Sequence, residues 1–339
     1  MKRIQTCLVA AIAIGASVSV AAAQQVKLRV ADSLPVGHYI SKDLLKPFMA
    51  QVEKATGKKV SFQYFPAQQL GKAKDMLSLT QTGVADIGYV GPSYIAGKMP
   101  LSSVGELPEA FSTSCQGTLA FWNIAKPGGV LDKIEFAPQG VRVLMVLVLP
   151  PYQIFSAKQI TGLASLKGMT VRSTGGAKDI ALTKLGAVPV HMAAPEARQA
   201  LSRGTVDAIA FPISSVLPYD LQPYLKTATE GANFGSFVAT YMISQKKYDS
   251  LPPDVRKAMD EAGEYATKSA CAQVQKLTGV DQTKLAKDGV KFMALSKPDM
   301  TKLNKIMSTV GDAWADKLEK QGHPAKKVLA AFRASLSGK

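Results

Sequence analysis

Histidine and cysteine are scarce in this chain, three of each among 339 residues, and that scarcity removes whole classes of chemistry. His38, His191 and His323 stand at no ligand spacing from one another or from the cysteines, so no metal site is expected. No Gly-x-Ser-x-Gly elbow occurs, and Ser173-Thr174-Gly175-Gly176 lacks the glycine and lysine spacing of a phosphate-binding P-loop. With no assembled nucleophile, metal or acid–base pair, the chain is not expected to be an enzyme or to need a cofactor. Long apolar runs are missing once the N-terminus is passed. Val141 to Pro151 ends at a Pro-Pro pair, short of the span of a bilayer. Repeats and low-complexity segments are absent. The lysines are dispersed, with no recognition motif among them, which argues against nucleic acid as the partner.

What is present begins with a leader. Lys2 and Arg3 precede an apolar run from Cys7 to Val20, and Ala21-Ala22-Ala23 offers a small-residue cleavage site, so 1–23 reads as a signal peptide and the mature chain as periplasmic. The formal net charge of +16 stays strongly basic after Lys2 and Arg3 are removed, which attracts anionic solutes over long range. Export also leaves Cys115 and Cys271 in a compartment that permits disulfides; they can pair, or sit separately as small buried hydrophobes on helices. The remaining length, at 47% hydrophobic, suffices for two lobes.

The stretch from Leu166 to Pro212 concentrates the chemistry. Gly168-Met169-Thr170-Val171-Arg172 is a strand signal, and Ser173 to Gly176 is a small-residue loop with room for a ligand. A helix ending at Gly186, a strand at Val188-Pro189-Val190, a helix from Pro195 to Arg203 and a strand from Val206 to Phe211 follow. That alternation belongs to a parallel sheet, whose strand ends form ligand crevices. Arg172 at such an end can meet a carboxylate with two parallel hydrogen bonds; on spacing alone, a surface ion pair explains it as well.

The first half alternates in the same way: strands at Val26–Ala31, Val60–Phe65 and Ala85–Val90, and helices from Ser41 to Thr56 and on to Thr82. Val141 to Leu149 can carry the chain into a second lobe, Ser236 to Ser244 can bring it back, and a helix from Asp254 to Leu277 can lie across both. The expected architecture is α/β and two-lobed, like a type II periplasmic binding protein, with a cleft at a hinge. The segments 24–148 and 236–258 are assigned to the first lobe, and 149–235 and 259–339 to the second.

Five segments then carry a family likeness: Leu34-Pro35-Val36-Gly37-His38 with Ser41; Phe65 to Gly71; Thr82 to Ile87; Leu166 to Arg172; and Leu185 to Val190 followed by Ala200 to Asp207. In this order and spacing the chain resembles the DctP-type periplasmic solute-binding proteins of tripartite ATP-independent periplasmic (TRAP) transporters over its whole mature length. The resemblance implies two α/β lobes closing on a ligand, delivery to the membrane subunits of an ion-driven permease, and Arg172 as the anchor of the ligand carboxylate. A monomer is expected.

Departures from the family pattern bear on the ligand. Where many relatives carry a second basic residue upstream of the binding arginine, this chain has Tyr152, and where relatives often place asparagine before a proline it has Phe211 before Pro212. Tyr89 and Tyr94 follow Asp86, and Phe234 precedes the returning strand. Ordinary core packing is the competing account of each ring. Five aromatics at family pocket positions point instead to an apolar, aromatic monocarboxylate held by Arg172, with His38 either donating to it or packing the first helix. The competing readings are a C4-dicarboxylate, a sugar acid or another organic acid, and service to an ABC transporter or a sensor. Asp86 and Asp207 are expected to tie loop backbone.

Overall fold

The computed structural model describes residues 25–108, 111 and 113–338; the expected leader lies outside them. The chain opens with β1 (Val26–Ala31), α1 (Lys46–Ala55), β2 (Val60–Phe65), α2 (Met76–Gln81), β3 (Ile87–Val90), α3 (Ser114–Ala125) and β4 (Val141–Val148). It crosses over to β5 (Gln153–Ser156), β6 (Thr170–Ser173), α4 (Ala177–Lys184), β7 (Val188–His191), α5 (Ala197–Ser202), β8 (Ala208–Phe211) and β9 (Thr227–Glu230). It returns in β10 (Val238–Ser244), and ends with α6 (Gln245–Asp249), α7 (Pro253–Lys287), β11 (Lys291–Ala294), α8 (Lys297–Met307), α9 (Val310–Glu319) and α10 (Ala325–Leu336).

These elements build two sheets, ordered β2-β1-β3-β10-β4 and β11-β9-β5-β8-β6-β7. The expected parallel units are there: β1 lies parallel to β2 and β3, and β6 parallel to β7 and β8. Both sheets fasten their parallel strands with the same device. Asp86, just before β3, accepts from the Arg29 backbone N–H of β1 at 2.7 Å, and Asp207, just before β8, accepts from the Thr170 N–H of β6 at 3.1 Å. Each carboxylate thus completes a strand end that a side-chain acceptor must satisfy. β5, β9 and β11 carry no clear sequence signal. β5 pairs antiparallel to β8 and β9, so the second sheet is mixed rather than purely parallel.

Between the sheets the two crossing segments are bonded to each other. Leu149 N donates to Phe237 O (2.9 Å) and Tyr152 N to Gly235 O (2.8 Å), while Pro150 and Pro151, which have no N–H, keep the outgoing strand extended. Gly235 sits at φ +91°, and a Cβ there would approach the Glu106 carbonyl oxygen to 2.6 Å, so only glycine fits.

A third crossing is α7, ten residues longer at its C-terminal end than the periodicity predicts. Pro253 starts it. A stripe of mostly small buried residues, including Ala258, Ala262, Gly263, Ala266 and Ala270, lays it on β4 and α3. Closer to its end, Leu285 joins the core of the second sheet. Cys271 on this stripe is disulfide-bonded to Cys115 on α3, with Cα atoms 4.7 Å apart. Residues beyond 258 serve both sheets, since α9 packs on α4 whereas α10 packs on α3.

Candidate functional site

Arg172 occupies the register position between Val190 of β7 and Ile209 of β8, inside the second sheet. It is fully buried, which rules out the surface ion pair. Its Nε donates to Met192 O (3.1 Å) and its Nη1 to Ala210 O (3.3 Å), while Nη2 has no hydrogen-bond partner. No acidic side chain pairs with it among the described residues. A buried cation without a counter-charge carries a desolvation penalty of several kcal/mol, and the planar group that completes it best is a carboxylate. The Phe211 ring lies 5.0 Å from Cζ, and the Tyr94 hydroxyl stands beside the guanidinium. Burial raises the Tyr94 pKa and the positive charge of Arg172 partly offsets this.

Next to the arginine, side chains from both sheets converge on a small cavity of about 20 Å³. His38, Tyr89 and Tyr94 reach it from the first sheet, and Tyr152 and Phe211 from the crossing and the second. Five of the residues singled out in the sequence therefore line one cavity, and Arg172 adjoins it. Phe234 does not: the ring on that wall is Phe237, tilted against Tyr94 at a centroid distance of 5.0 Å. The positive φ of Gly235 breaks the strand alternation between the two phenylalanines, so their facing could not be read by counting. Tyr219 and Ser215 are wall residues that the sequence did not reveal.

His38 is buried and neutral. Its Nδ1 accepts from Ile40 N (3.2 Å), which leaves the proton on Nε2, 3.3 Å from Ser215 Oγ. Ser215 in turn donates to Tyr39 OH (3.2 Å). Burial lowers the His38 pKa to about 3. This chain and the Ala194 N–H to Tyr94 OH bond of 3.3 Å both join the first sheet to the second across the cavity.

A further polar group escaped the sequence reading. Lys178 of α4 and Glu106 of the segment after β3 are both fully buried, with Nζ 3.6 Å from Oε2. Glu106 also accepts from Ser93 Oγ (2.6 Å), Val238 N (3.3 Å) and Thr174 Oγ1 (3.2 Å). Lys178 Nζ donates to Ser236 O and lies 4.4 Å from the Tyr152 ring centroid. Burial pushes both groups toward their neutral forms, and each other's charge pulls them back. No motif marks either residue, because the two lie 72 positions apart in the sequence and meet only in the folded chain.

A larger groove lies elsewhere, about 820 Å³ beside Pro150, Pro151, Asn233, Gln275 and Gln282. Among the described residues lining it, the one charged side chain is Glu230, which would repel an organic anion. Among the described residues no three or more His, Cys, Asp or Glu side chains are placed to hold a metal, and no helix is long and apolar enough to cross a membrane.

Comparison with known proteins adds the family. The profile of bacterial extracellular solute-binding proteins, family 7 (DctP), matches residues 30–318. The chain belongs to this family. As a family 7 protein it is 26% identical over 363 residues to the C4-dicarboxylate-binding periplasmic protein DctP of Rhodobacter capsulatus, covering 97% of this chain and 99% of the relative. Its fold matches that of a TRAP solute-binding protein from Rhodoferax ferrireducens in complex with copurified benzoate, at a TM-score of 0.83 and 24% identity, covering 92% of this chain and 98% of the other. It also matches that of a marine metagenome TRAP solute-binding protein specific for aromatic acid ligands, in complex with 3-hydroxybenzoate, at a TM-score of 0.84 and 22% identity, covering 93% and 99%. Family 7 proteins are solute receptors, and the two-sheet architecture of this member is the one its structural neighbours share.

Proposed function

We propose that this chain is the periplasmic receptor of a TRAP transporter for an aromatic or otherwise apolar monocarboxylate. The observation that carries the reading is Arg172: a buried guanidinium with one nitrogen unpartnered and no acid paired with it among the described residues, adjoining a cavity walled by tyrosine and phenylalanine rings. The carboxylate takes the free face of Arg172, close to the Tyr94 hydroxyl. The ring packs among Tyr152, Phe211, Tyr89 and Phe237 once these walls part to widen the cavity of about 20 Å³, with His38 and the tyrosine hydroxyls available to a polar substituent. The lobes close because the ligand binds the closed form better than the open one, and water excluded from the cleft no longer screens the charged contact.

The benzoate and 3-hydroxybenzoate found in two structural neighbours support this ligand class, and the C4-dicarboxylate named for the Rhodobacter relative marks the alternative. In this reading the leader is cleaved near Ala23, the mature protein acts as a monomer, and it hands its ligand to the permease subunits. Calorimetric titration of the purified protein with benzoate, hydroxybenzoates, mandelate, C4-dicarboxylates and sugar acids tests it. Aromatic monocarboxylates should bind at least tenfold tighter than the rest; strong binding confined to dicarboxylates or sugar acids rejects it.

A further inference from the structure

We infer that Glu106 sets the charge selectivity of the cleft by occupying Lys178, and so keeps a pocket with two buried cations receptive to one carboxylate. The inference rests on the proposed acid-binding role of the cavity and adds a determinant to it.

Two cations flank the aromatic pair Tyr152 and Phe211, whose centroids are 6.3 Å apart: Lys178 Nζ lies 4.4 Å from the Tyr152 ring and Arg172 Cζ 5.0 Å from the Phe211 ring. Their surroundings differ in one respect. Arg172 has only carbonyl acceptors and a free Nη2, whereas Lys178 faces the Glu106 carboxylate at 3.6 Å and the Ser236 carbonyl. Glu106 is itself held by Ser93, Val238 and Thr174, so in the closed cleft it stands fixed beside Lys178.

In a site without water a carboxylate pays its desolvation only against a cation free to receive it. Arg172 is free and Lys178 is not. A second ligand carboxylate directed at Lys178 would meet the Glu106 charge at short range, where like charges cost most. The departure at Tyr152 thus has a structural counterpart. A second cation is present, supplied by α4, and its charge is already answered from within the protein. Asp32 is another buried acid on the first-sheet side, but it accepts from Leu34 N, Ser41, Tyr64 and Tyr241. It is unchanged in every variant below.

The test compares matched ligand pairs, benzoate against terephthalate and isophthalate, and butyrate against succinate, by calorimetry at pH 6.5. The proteins are the wild type, Glu106→Gln, Lys178→Met and the double variant. Glu106→Gln should raise the dicarboxylate-to-monocarboxylate affinity ratio at least tenfold, and the double variant should return it to within threefold of wild type. A ratio unchanged within threefold in Glu106→Gln overturns the inference; a merely structural role for Glu106 would weaken all ligands together and leave the ratio alone. Should Glu106→Gln not fold, the readout is the step from Lys178→Met to the double variant. There, removing the unanswered carboxylate should raise monocarboxylate affinity at least tenfold, and no change overturns the inference. A wild type that binds succinate and no aromatic acid rejects the proposed ligand class instead, and the butyrate–succinate ratio still reads Glu106.

Discussion

Replacing Arg172 by Met should separate ligand binding from folding. Nη2 is unpartnered and Nη1 makes one bond of 3.3 Å, so two nitrogens can face a carboxylate. Each charge-assisted hydrogen bond contributes about 1.5–3 kcal/mol, and the pair therefore about 3–6 kcal/mol, or roughly 10²- to 10⁴-fold in affinity. Folding should respond differently. The variant loses the bonds to Met192 O and Ala210 O, and it also escapes the several kcal/mol spent burying a guanidinium without a counter-ion. Those effects oppose each other, so ligand-free stability should shift by no more than about 1–2 kcal/mol. Calorimetry with the cognate acid and urea unfolding without it read the two quantities. Affinity within tenfold of wild type, or a stability loss above about 4 kcal/mol, would mean that Arg172 is a structural residue. Arg172→Lys should fall near the Met variant, because an ammonium lacks the fork.

Acidification should reveal two opposed buried groups. Burial holds His38 at about 3 against an ordinary value of 6.5, so between those values only the unfolded chain takes up the proton and stability falls with pH, by about 2–3 kcal/mol from pH 6.5 to 4.5. Glu135, which accepts from the Leu101 and Ser102 backbone N–H groups, is raised by burial to about 7; between 4.5 and 7 it is the folded chain that holds the extra proton, and stability rises as pH falls by a similar amount. Urea melts at pH 7 and 4.5 should therefore show His38→Gln losing less stability than wild type on acidification and Glu135→Gln losing more; a variant-to-wild-type difference that is the same at both pH values refutes the assignment. Removing the Cys115–Cys271 bond by double Ser substitution should cost about 2–4 kcal/mol, with a denaturation midpoint unmoved by reductant in the variant; an equal midpoint for oxidised wild type and variant would contradict this. Gly263→Ala would gain about 1 kcal/mol if helix propensity ruled, but the added Cβ would overlap the Leu144 carbonyl oxygen where α7 lies on β4, so a net loss of about 1–3 kcal/mol is expected in unfolding experiments; a stabilised variant would disprove so close a contact.

What could be read from the sequence divides along a physical line. β1 and β2 match their expected bounds residue for residue, because apolar alternation and flanking turn residues are local signals. Arg172 was legible for the same reason, at the end of an apolar strand before a small-residue loop. β9, Thr-Ala-Thr-Glu, was not: four residues with two threonines and an exposed glutamate carry no period, and pairing with β5 and β11 makes the strand. Lys178 and Glu106 were invisible because each reads as an ordinary solvated charge until α4 and the segment after β3 enclose it. Local pattern thus located the anchor, and long-range packing supplied the second cation and its answering charge.

The polar links across the cavity also bear on how a receptor of this kind closes. Tyr94 to Ala194, His38 to Ser215, and Glu106 to Thr174 and Lys178 each join a group from the first-sheet side to one from the second. None of them requires a ligand, so each favours the closed form with the cleft empty. A ligand can shift the balance only by what it adds beyond them. Arg172 is a group they leave incomplete, since its Nη2 has no partner and, among the described residues, no acidic side chain from the opposite lobe pairs with its charge. A carboxylate placed there would lie beside Tyr94 and so touch both lobes at once. The protein therefore makes closing contacts without a ligand, and on the proposed reading reserves for the ligand a buried cation that no acidic side chain among the described residues answers.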